Sequence, residues 1–449
     1  MIQTIMNKEE VLSRLEKMGY ESYLVGGFVR DKLMGRVSSD IDIATKARPD
    51  EIKEVFRDYK IIEVGKAFGT IKLIADHKEY EITTFRSDGT YKDKRRPDGV
   101  SFSDSIYEDL KRRDFTVNAI AIRNNEIIDP FDGQNDLRKQ IIRAVGNPKE
   151  RIEEDYLRAL RAVRFASILD FEIDSDLKNA IRENSSNLSY ISAERQRAEL
   201  DKILLSDNPA RGIRLLEDLD LLDKFLPEVM NMVGFDQRSP HHNLDLFEHS
   251  LKVLENVPKD LETRLAALFH DTGKPATFFL DENGHGRFFG HQKISEDLAK
   301  NRLKVLKYPN KTIEEVGFLI GRHMDCANAY TEKSVARLLR KLGEDTLRRL
   351  FDLQESDILA TVHDDISNIE NGRKFLEKIL NEDRALSRAD LAINGKDLIN
   401  LGFNEGRIIG QILDHVFGAV FEEDLPNEKD ILLDFASKIG QKLDRKTYE

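Results

Sequence analysis

Two adjacent glycines and a closely spaced pair of aspartates constrain this chain more than any other feature of its sequence. Gly26 and Gly27 end an apolar run, and Asp40 and Asp42 follow them after a short segment, separated by Ile41. Because glycine has no Cβ, the backbone amides of such a turn can approach a phosphate closely. Alternation along a strand places the two aspartate carboxylates on one face. The pattern therefore predicts a turn and a strand that face a charged ligand together.

A third carboxylate would complete a metal site with Asp40 and Asp42. Glu81 is the best candidate, since it lies in a strand-like segment at 80–85 that could pair beside the first strand. Glu79 would point the same way, so the choice between the two stays open at this level. Such hard oxygen ligands suit Mg²⁺, and paired Mg²⁺ ions catalyse in-line nucleotidyl transfer. A turn followed by an edge strand with solvated acids is the alternative interpretation.

Composition limits the class of protein. At 449 residues the chain is long for a single core, and we expect two to four domains. No apolar run is long enough for a membrane span, and the first residues lack a signal-peptide pattern. A single cysteine, Cys326, fits a reducing compartment, which predicts a cytoplasmic protein. The net charge of −12 argues against indiscriminate nucleic-acid coating but permits RNA contacts through local basic patches.

Hydrophobic periodicity divides the chain into a mixed part and a helical part. Segments 61–64, 70–74 and 80–85 have strand composition, whereas the pattern from Asn147 onward is almost wholly helical. The segment 153–165 shows apolar residues at helical spacing. We therefore expect an α+β fold in which a small mixed-sheet head precedes helical modules. The predicted domains are 1–143, 144–238, 239–383 and 384–449.

Several strings together resemble the DNA polymerase β-like nucleotidyltransferases. The resemblance runs in order from Tyr23 to Phe165 and is most specific at 108–121, where we expect Arg113, Asp114 and Asn118 to lie at helical offsets. Within that superfamily the sequence that flanks these motifs is similar to the bacterial class II tRNA nucleotidyltransferase (CCA-adding enzyme) and poly(A) polymerase branch. The resemblance implies a polymerase β-like head followed by helical neck, HD and tail domains. It also implies C, C and A addition to tRNA from CTP and ATP with Mg²⁺, and no DNA or membrane partner.

The resemblance also assigns roles to individual residues. Asp40, Asp42 and Glu81 would be catalytic, Arg113 would approach the nucleotide, and Asp114 and Asn118 would approach its sugar. The full set expected to contact nucleotide is Gly26, Gly27, Arg30, Arg113, Asp114, Asn118, Glu154, Asp155, Arg158, Arg161 and Arg164.

Two of these segments bear on which nucleotide is added. The first is a predicted helix on which the side chains of Glu154, Asp155 and Arg158 would be neighbours. They could form a surface salt bridge, or they could be the base-reading template that the resemblance implies. An Asp/Arg pair can accept the amino group and ring acceptors of C or A, whereas U and G present a carbonyl there. The loop 86–102 matches a flexible loop that this family associates with terminal A addition, or else it is an ordinary surface loop.

A second constellation lies further along the chain. Its members are side chains able to ligate a metal through nitrogen or oxygen: His249, His270, Asp271, His291, His323 and Asp357. With the string His270-Asp271-Thr-Gly-Lys274-Pro, the region 243–365 resembles HD-domain metal phosphohydrolases. That resemblance implies a divalent metal of unknown identity, with Lys274 as a possible phosphate contact. His291 and His323 leave room for a second metal.

Three functional interpretations remain open at the level of sequence. The first is a CCA-adding enzyme with a fused HD phosphohydrolase. The second is a poly(A) polymerase or an enzyme that adds only A. The third, of another class, is an HD hydrolase whose head serves only to bind RNA. Intact Asp40, Asp42 and Glu81 argue against the third, because a binding relic has no use for three metal ligands.

Overall fold

The computed structural model describes residues 6–38, 40–63, 69–76, 78–87, 101–239, 244–381, 388–422 and 425–445. The chain divides into two compact units, each described here by itself. The first comprises Met1–Met230 with Val305–Tyr308, and the second comprises Asn231–Lys304 with Pro309–Glu449. The finer four-domain division stays a prediction. Among the described helices, none combines the length and the apolar character that crossing a membrane requires.

The first unit contains all the long strands. They are β1 Ser22–Val25, β2 Ile41–Thr45, β3 Lys60–Glu63, β4 Thr70–Ala75, β5 Lys78–Thr84, β6 Arg86–Ser87, β7 Ser101–Phe102, β8 Ala121–Arg123, β9 Glu126–Ile128, β10 Ile141–Ile142 and β11 Glu172–Ile173. Its helices are α1 Lys8–Lys17, α2 Gly26–Leu33, α3 Pro49–Val55, α4 Ile106–Lys111, α5 Gly133–Lys139, α6 Pro148–Glu154, α7 Leu157–Leu169, α8 Ser175–Glu183, α9 Ala193–Leu204, α10 Pro209–Asp218, α11 Leu222–Phe225 and α12 Pro227–Met230.

A seven-stranded sheet forms the head, in the order β3-β4-β5-β2-β1-β8-β9. The pairing of β2 with β5 is parallel and the others are antiparallel, so the sheet is mixed. β1 is buried on both faces: Leu24 joins one apolar cluster, while Tyr23 and Val25 join another. The predicted mixed-sheet head is thereby confirmed.

The helical part of the chain begins at Asn147, where the sequence predicts it. Asn147 caps α6 by accepting hydrogen bonds from the amides of Lys149 and Glu150, and Pro148 occupies the first helical turn. α7 is buried along most of its length, and α9 and α10 pack against it. α7 begins three residues after α6 ends, and it carries Arg158, one of the predicted template residues.

The second unit is almost entirely helical. Its helices are α13 Leu246–Asn256, α14 Leu261–Phe269, α15 Lys274–Thr277, α16 His291–Val305, α17 Asn310–Arg322, α18 Glu332–Leu342, α19 Glu344–Leu359, α20 Ser367–Asn381, α21 Gly395–Asn400, α22 Arg407–Phe421 and α23 Lys429–Arg445. A short hairpin pairs β12 Phe279–Leu280 with β13 Gly286–Arg287. α13, α14, α17 and α19 pack together, and α21, α22 and α23 form a separate apolar cluster. The predicted α+β fold with a helical remainder is confirmed.

Candidate functional site

Strand register brings two of the predicted catalytic acids side by side. β2 and β5 run parallel, and Asp42 pairs directly with Glu81. Ile41 and Ile43 are buried on the opposite face of β2, which leaves Asp42 facing the cavity side. Asp40 immediately precedes β2 and lines a cavity of about 300 Å³ with Asp42 and Glu81. The structure therefore brings the three carboxylates to one edge.

Glu79 lines the same cavity, but its environment differs from that of Glu81. Its carboxylate accepts a hydrogen bond from Lys72 Nζ at 2.7 Å. Glu81, by contrast, also borders the adjoining, larger cleft. A carboxylate that already has its own ammonium partner is a poorer metal ligand, and this favours Glu81 as the third acid.

Asp42 lies in a crowded electrostatic environment. Burial, followed by the negative charges of Glu81 and Asp40, raises its pKa to about 6, against the opposing charge of Arg113 and a backbone hydrogen bond from Gly27. Gly26 has φ +65°, and a Cβ there would come within 3.0 Å of Asp42 Oδ2. Gly26 thus makes room for the Asp42 carboxylate itself. The sequence had suggested only that the glycines let a phosphate approach the backbone.

The larger cleft measures about 480 Å³ and is strongly cationic. Arg30 Nη1 donates to Asn118 Oδ1 at 2.9 Å, and Asn118 Nδ2 donates to Asp114 Oδ1 at 3.3 Å. Arg161 Nε donates to Asp114 Oδ2 at 2.7 Å. Burial alone would raise the pKa of Asp114, but the Arg161 charge lowers it to about 2. The predicted sugar-binding residues are therefore held in one hydrogen-bonded network.

The remaining expected nucleotide contacts fall mostly on this cleft. Its lining includes Gly26, Gly27, Arg30, Asp42, Glu81, Arg113, Asp114, Asn118, Asp155, Arg158, Arg161 and Arg164. Glu154 is not among the lining residues. Its carboxylate accepts instead from Arg158 Nη1 at 2.5 Å and pairs with Arg151 at 3.0 Å.

Two expectations about helices need correction. Arg113, Asp114 and Asn118 do not share a helix, because α4 ends at Lys111 and a 3-10 turn follows at Thr116–Asn118. The segment 153–165 is also not continuous. α6 ends at Glu154, Asp155 is extended with φ −152°, and α7 begins at Leu157. The Asp155 carboxylate caps the new helix by accepting from the Leu157 amide at 3.1 Å, which fixes the break.

The break changes which template residues touch. Arg158 pairs with Glu154, whereas Asp155 Oδ2 accepts from Arg195 Nη2 at 2.7 Å. Arg164 Nε donates to Glu199 Oε2 at 2.5 Å, so α9 supplies partners to two cleft residues. Sequence reasoning missed Arg195 and Glu199, because they lie some forty residues away and carry no local motif.

Asp109 is a second omission, and here a signal existed. It is 1% exposed, and it accepts from Arg112 Nη2 at 2.8 Å and Arg113 Nη2 at 3.0 Å. Its spacing of three and four residues from these arginines is visible in the sequence. A buried acid that holds two arginines at the cleft edge is a structural support for the cleft.

In the second unit, four histidines present the same ring atom to one centre. Each Nδ1 faces a backbone carbonyl: Ala360 for His249 (3.4 Å), Ala267 for His270 (2.8 Å), Phe288 for His291 (2.9 Å) and Ile320 for His323 (2.7 Å). Because a carbonyl only accepts, each Nδ1 carries the proton and each Nε2 is left as a ligand.

Asp271 lies between two halves of this cluster. Its Oδ2 is 3.2 Å from His270 Nε2 and 3.6 Å from His249 Nε2. Its Oδ1 is 3.2 Å from His291 Nε2 and 3.8 Å from His323 Nε2. Asp357 Oδ1 joins the first half at 3.0 Å from His249 Nε2. All six predicted ligands are therefore brought together.

The chemistry of this donor set fits a metal. His270 Nε2 and Asp271 Oδ1 are buried without a hydrogen-bond partner among the described residues, whereas Asp271 Oδ2 forms an ion pair with Lys274 Nζ at 2.7 Å. Buried polar atoms without partners are costly, and a cation at this point would satisfy His270 Nε2 and Asp271 Oδ1. Within the described part of the chain, the groups whose ligand atoms all lie within 4.8 Å of one another are His249–His270–Asp271 and Asp271–His291–His323. The head carboxylates are more widely spread than this.

Family comparisons match three parts of the chain. Residues 22–143 match the family model described as "Poly A polymerase head domain". Residues 170–232 match "Probable RNA and SrmB- binding site of polymerase A", and residues 286–436 match domain 2 of tRNA nucleotidyltransferases.

Full-length comparisons agree with these matches. A CCA-adding enzyme of Pediococcus pentosaceus is 36% identical over 98% of this chain and 99% of its own length. One of Ligilactobacillus salivarius is 34% identical over 96% of this chain and 95% of its own. The crystal structure of the Bacillus stearothermophilus CCA-adding enzyme in complex with CTP is 30% identical, with a TM-score of 0.72 over 97% of this chain and 98% of that one. On this evidence, the chain belongs to the CCA-adding enzyme family of tRNA nucleotidyltransferases.

Proposed function

We propose that this chain adds C, C and A in turn to the 3′ end of tRNA, with CTP and ATP as substrates. The observation that supports this most is that Asp42 and Glu81 share one cleft with Asp155 and Arg158. In this arrangement the residues that would bind metal and the pair that would read the base face the same cavity. A protein that selects its nucleotide without a nucleic-acid template needs both in one place. Its single cysteine accords with a cytoplasmic setting for this reaction.

In the proposed reaction, the tRNA 3′-oxygen forms a bond to the α-phosphorus and the bond to pyrophosphate breaks. Asp40, Asp42 and Glu81 would hold Mg²⁺. When bound, Mg²⁺ lowers the pKa of the hydroxyl and stabilises charge on the α-phosphate and the leaving pyrophosphate. Asp114 and Asn118 orient the sugar, and Arg113 contributes positive charge beside the triphosphate.

Base choice falls to Asp155 and Arg158. Asp155 accepts one hydrogen bond on each oxygen in the structure and keeps further lone pairs for an exocyclic amino group. Cytosine and adenine both offer that amino group, whereas uracil and guanine offer a carbonyl. An acceptor facing a carbonyl leaves both unpaired, and this mismatch is the basis for rejecting UTP and GTP.

One experiment separates this proposal from its alternatives. Three tRNAs, ending before the first C, before the second C and before the A, are each given one labelled nucleotide at a time. CTP use on the first two and ATP use on the third is the expected result. Extension with A only would instead favour an A-adding enzyme, and long A tracts would favour a poly(A) polymerase.

The loop 86–102 tests the terminal step. Residues 91–96, on which the sequence hypothesis depends, lie outside the described part of the chain. Deleting 91–96 should spare the two C additions and impair addition of A, if the loop helps the cleft readjust from C to A. Equal loss of both steps would make the loop a purely structural element.

A second activity is favoured by the histidine cluster. We propose that the second unit is a metal-dependent phosphohydrolase or phosphodiesterase. His249, His270, Asp271 and Asp357 would hold a divalent ion, and Asp271, His291 and His323 would be the ligands available to a second. When bound, such an ion would activate water and polarise the phosphoryl group. The HD assignment rests on the residues and their geometry.

The test is metal loading followed by hydrolysis assays. Chelated protein should take up Mn²⁺, Ni²⁺ or Co²⁺ at this centre and then cleave phosphomonoesters or cyclic phosphodiesters. Failure to cleave either with any divalent ion would end the hydrolase proposal. Hydrolysis without any nucleotide addition would favour the third interpretation, in which the head only binds RNA.

A further inference from the structure

A buried glutamine stands beside the proposed metal centre of the second unit. Gln237 is 2% exposed and its Oε1 accepts a hydrogen bond from Lys274 Nζ at 2.9 Å. Lys274 is itself 7% exposed, and its Nζ lies 2.7 Å from Asp271 Oδ2. Gln237 is therefore linked through one ammonium group to Asp271, which we propose as a metal ligand.

The orientation of the Gln237 amide follows from this contact. A lysine ammonium only donates, so the amide atom that faces it must be the oxygen. The amide nitrogen Nε2 takes no part in that contact, and it is buried without a hydrogen-bond partner in the described part of the chain. Buried donors are almost always paired in native proteins, which means that this one calls for an acceptor that the described residues do not supply.

The local charge favours an anionic acceptor. A divalent ion held by Asp271 and Asp357 would be neutralised by those two carboxylates. Lys274 then adds a positive charge inside the same buried cluster, and a second divalent ion would add two more. A low-dielectric site with net positive charge attracts an anion strongly. Phosphoryl oxygens are multiple acceptors and carry that charge.

The glutamine is also held in place. Gly286 on β13 approaches its backbone so closely that a Cβ there would lie 2.1 Å from the Gln237 carbonyl oxygen. Lys274 Nζ lies 5.4 Å from the centre of the Phe288 ring, which supports the ammonium from one side. Both polar groups are thus fixed before any ligand arrives, which lowers the entropic cost of binding one.

We propose that Gln237 is a phosphate-binding residue of the second unit, and that its Nε2 donates to a phosphoryl oxygen next to Lys274. This inference rests on the proposed metal centre and adds a specific recognition residue to it. It identifies the ligand as a phosphate ester, or the inorganic phosphate that hydrolysis releases. Sequence reasoning gave no sign of Gln237, which lies outside every motif of the histidine set.

Calorimetric titration tests the inference without requiring turnover. Full-length protein is loaded with Mn²⁺ and titrated with inorganic phosphate, and the His270→Ala variant defines how much of the binding belongs to this centre. Gln237→Met preserves side-chain size and removes both the Nε2 donor and the Oε1 acceptor of Lys274. We expect it to bind Mn²⁺ with unchanged stoichiometry and phosphate about tenfold more weakly, the loss of one buried hydrogen bond to a charged group.

Two further variants keep the result interpretable. Gln237→Glu retains an acceptor for Lys274 but replaces the free donor with a charge that repels phosphate, and it should weaken binding more than Gln237→Met. Gln196→Met removes a glutamine of the first unit, whose Nε2 donates to Leu188 and Ile191, and should change nothing at this centre. Unaltered phosphate affinity in both Gln237 variants would overturn the inference. If wild type and His270→Ala bind Mn²⁺ and phosphate alike, the metal centre itself is refuted.

Discussion

Asp42 in the first unit and Asp271 in the second are held in opposite electrostatic states. In the first unit, burial and the nearby charges of Glu81 and Asp40 raise the pKa of Asp42 to about 6. In the second, burial alone would raise the pKa of Asp271, but His270 and Lys274 hold it well below its usual range. The nearest charges that raise the pKa of Asp42 are those of other carboxylates, an arrangement that favours binding of a cation. Asp271, in contrast, has cationic side chains beside it.

This difference matches the kind of ligand that each site suits. The first is an oxygen-only edge that opens onto a cationic cleft, which suits Mg²⁺ arriving with nucleotide phosphates. The second is a buried set of imidazoles and carboxylates whose rings are fixed by backbone carbonyls. A substitution at one site should therefore change the activity of that site and leave the activity of the other unchanged.

The largest effect is expected at the carboxylate edge. Asp42→Ala and Asp40→Ala should each lower incorporation of both C and A by several orders of magnitude, since the transferring phosphate loses its metal. Affinity for tRNA, measured by filter binding, should change little. Full activity in either purified variant would remove that aspartate from the catalytic edge.

Glu79 and Glu81 offer a matched pair for the same experiment. Glu81→Gln should behave like Asp42→Ala, whereas Glu79→Gln should keep most activity, because Glu79 already pairs with Lys72. Single-nucleotide addition rates would decide between them. An equal loss in both variants would mean that the third carboxylate is not yet identified.

The next prediction concerns the histidine cluster of the second unit. His270→Ala and Asp271→Ala should abolish the proposed metal-dependent phosphate-ester hydrolysis, because each would remove a ligand from the proposed metal centre. CCA addition should persist near the wild-type rate, since none of its proposed residues lies in that cluster. Melting curves must accompany both assays. A parallel loss of CCA addition in a folded variant would show that the two activities are coupled.

A smaller effect is expected at the base-reading pair. Asp155→Asn replaces an acceptor with a donor, and we expect discrimination of CTP against UTP to fall by about 10- to 100-fold, the range for one buried hydrogen bond. Glu154→Gln should alter it less, because Glu154 touches Arg158 but does not line the cleft. Competition between labelled CTP and UTP measures both. Unchanged discrimination in Asp155→Asn would reduce this pair to a structural contact.

Local pattern predicted the parts of the molecule that local physics determines. The strand-like segment at 80–85 was expected to pair beside the strand of Asp42, and Glu81 does pair with Asp42. The histidine set also converged as expected. The helix break at Asp155 was not foreseen, because the residues around it favour helix and only the Asp155 cap and its contact with Arg195 disclose the turn. Partners such as Glu199 and Gln237 were also invisible. Their roles depend on long-range packing, for which a single sequence carries no periodic signal.

The smallest effect is thermodynamic, and it tests the electrostatic contrast directly. Between pH 4 and 6 the folded chain retains a proton on Asp42 that the unfolded chain has released, so this group makes stability fall as pH rises through that window. Asp42→Asn removes the penalty and should stabilise chelated protein at pH 8 by roughly 1–3 kcal/mol, with little gain at pH 4. Asp271 has the opposite sign. Its lowered pKa stabilises the fold at neutral pH, so Asp271→Asn should destabilise the protein at pH 8. Urea unfolding in EDTA at both pH values measures the two shifts. Shifts of the same sign at pH 8 would show that the carboxylates are held in equivalent states, and the contrast between the two sites would fail.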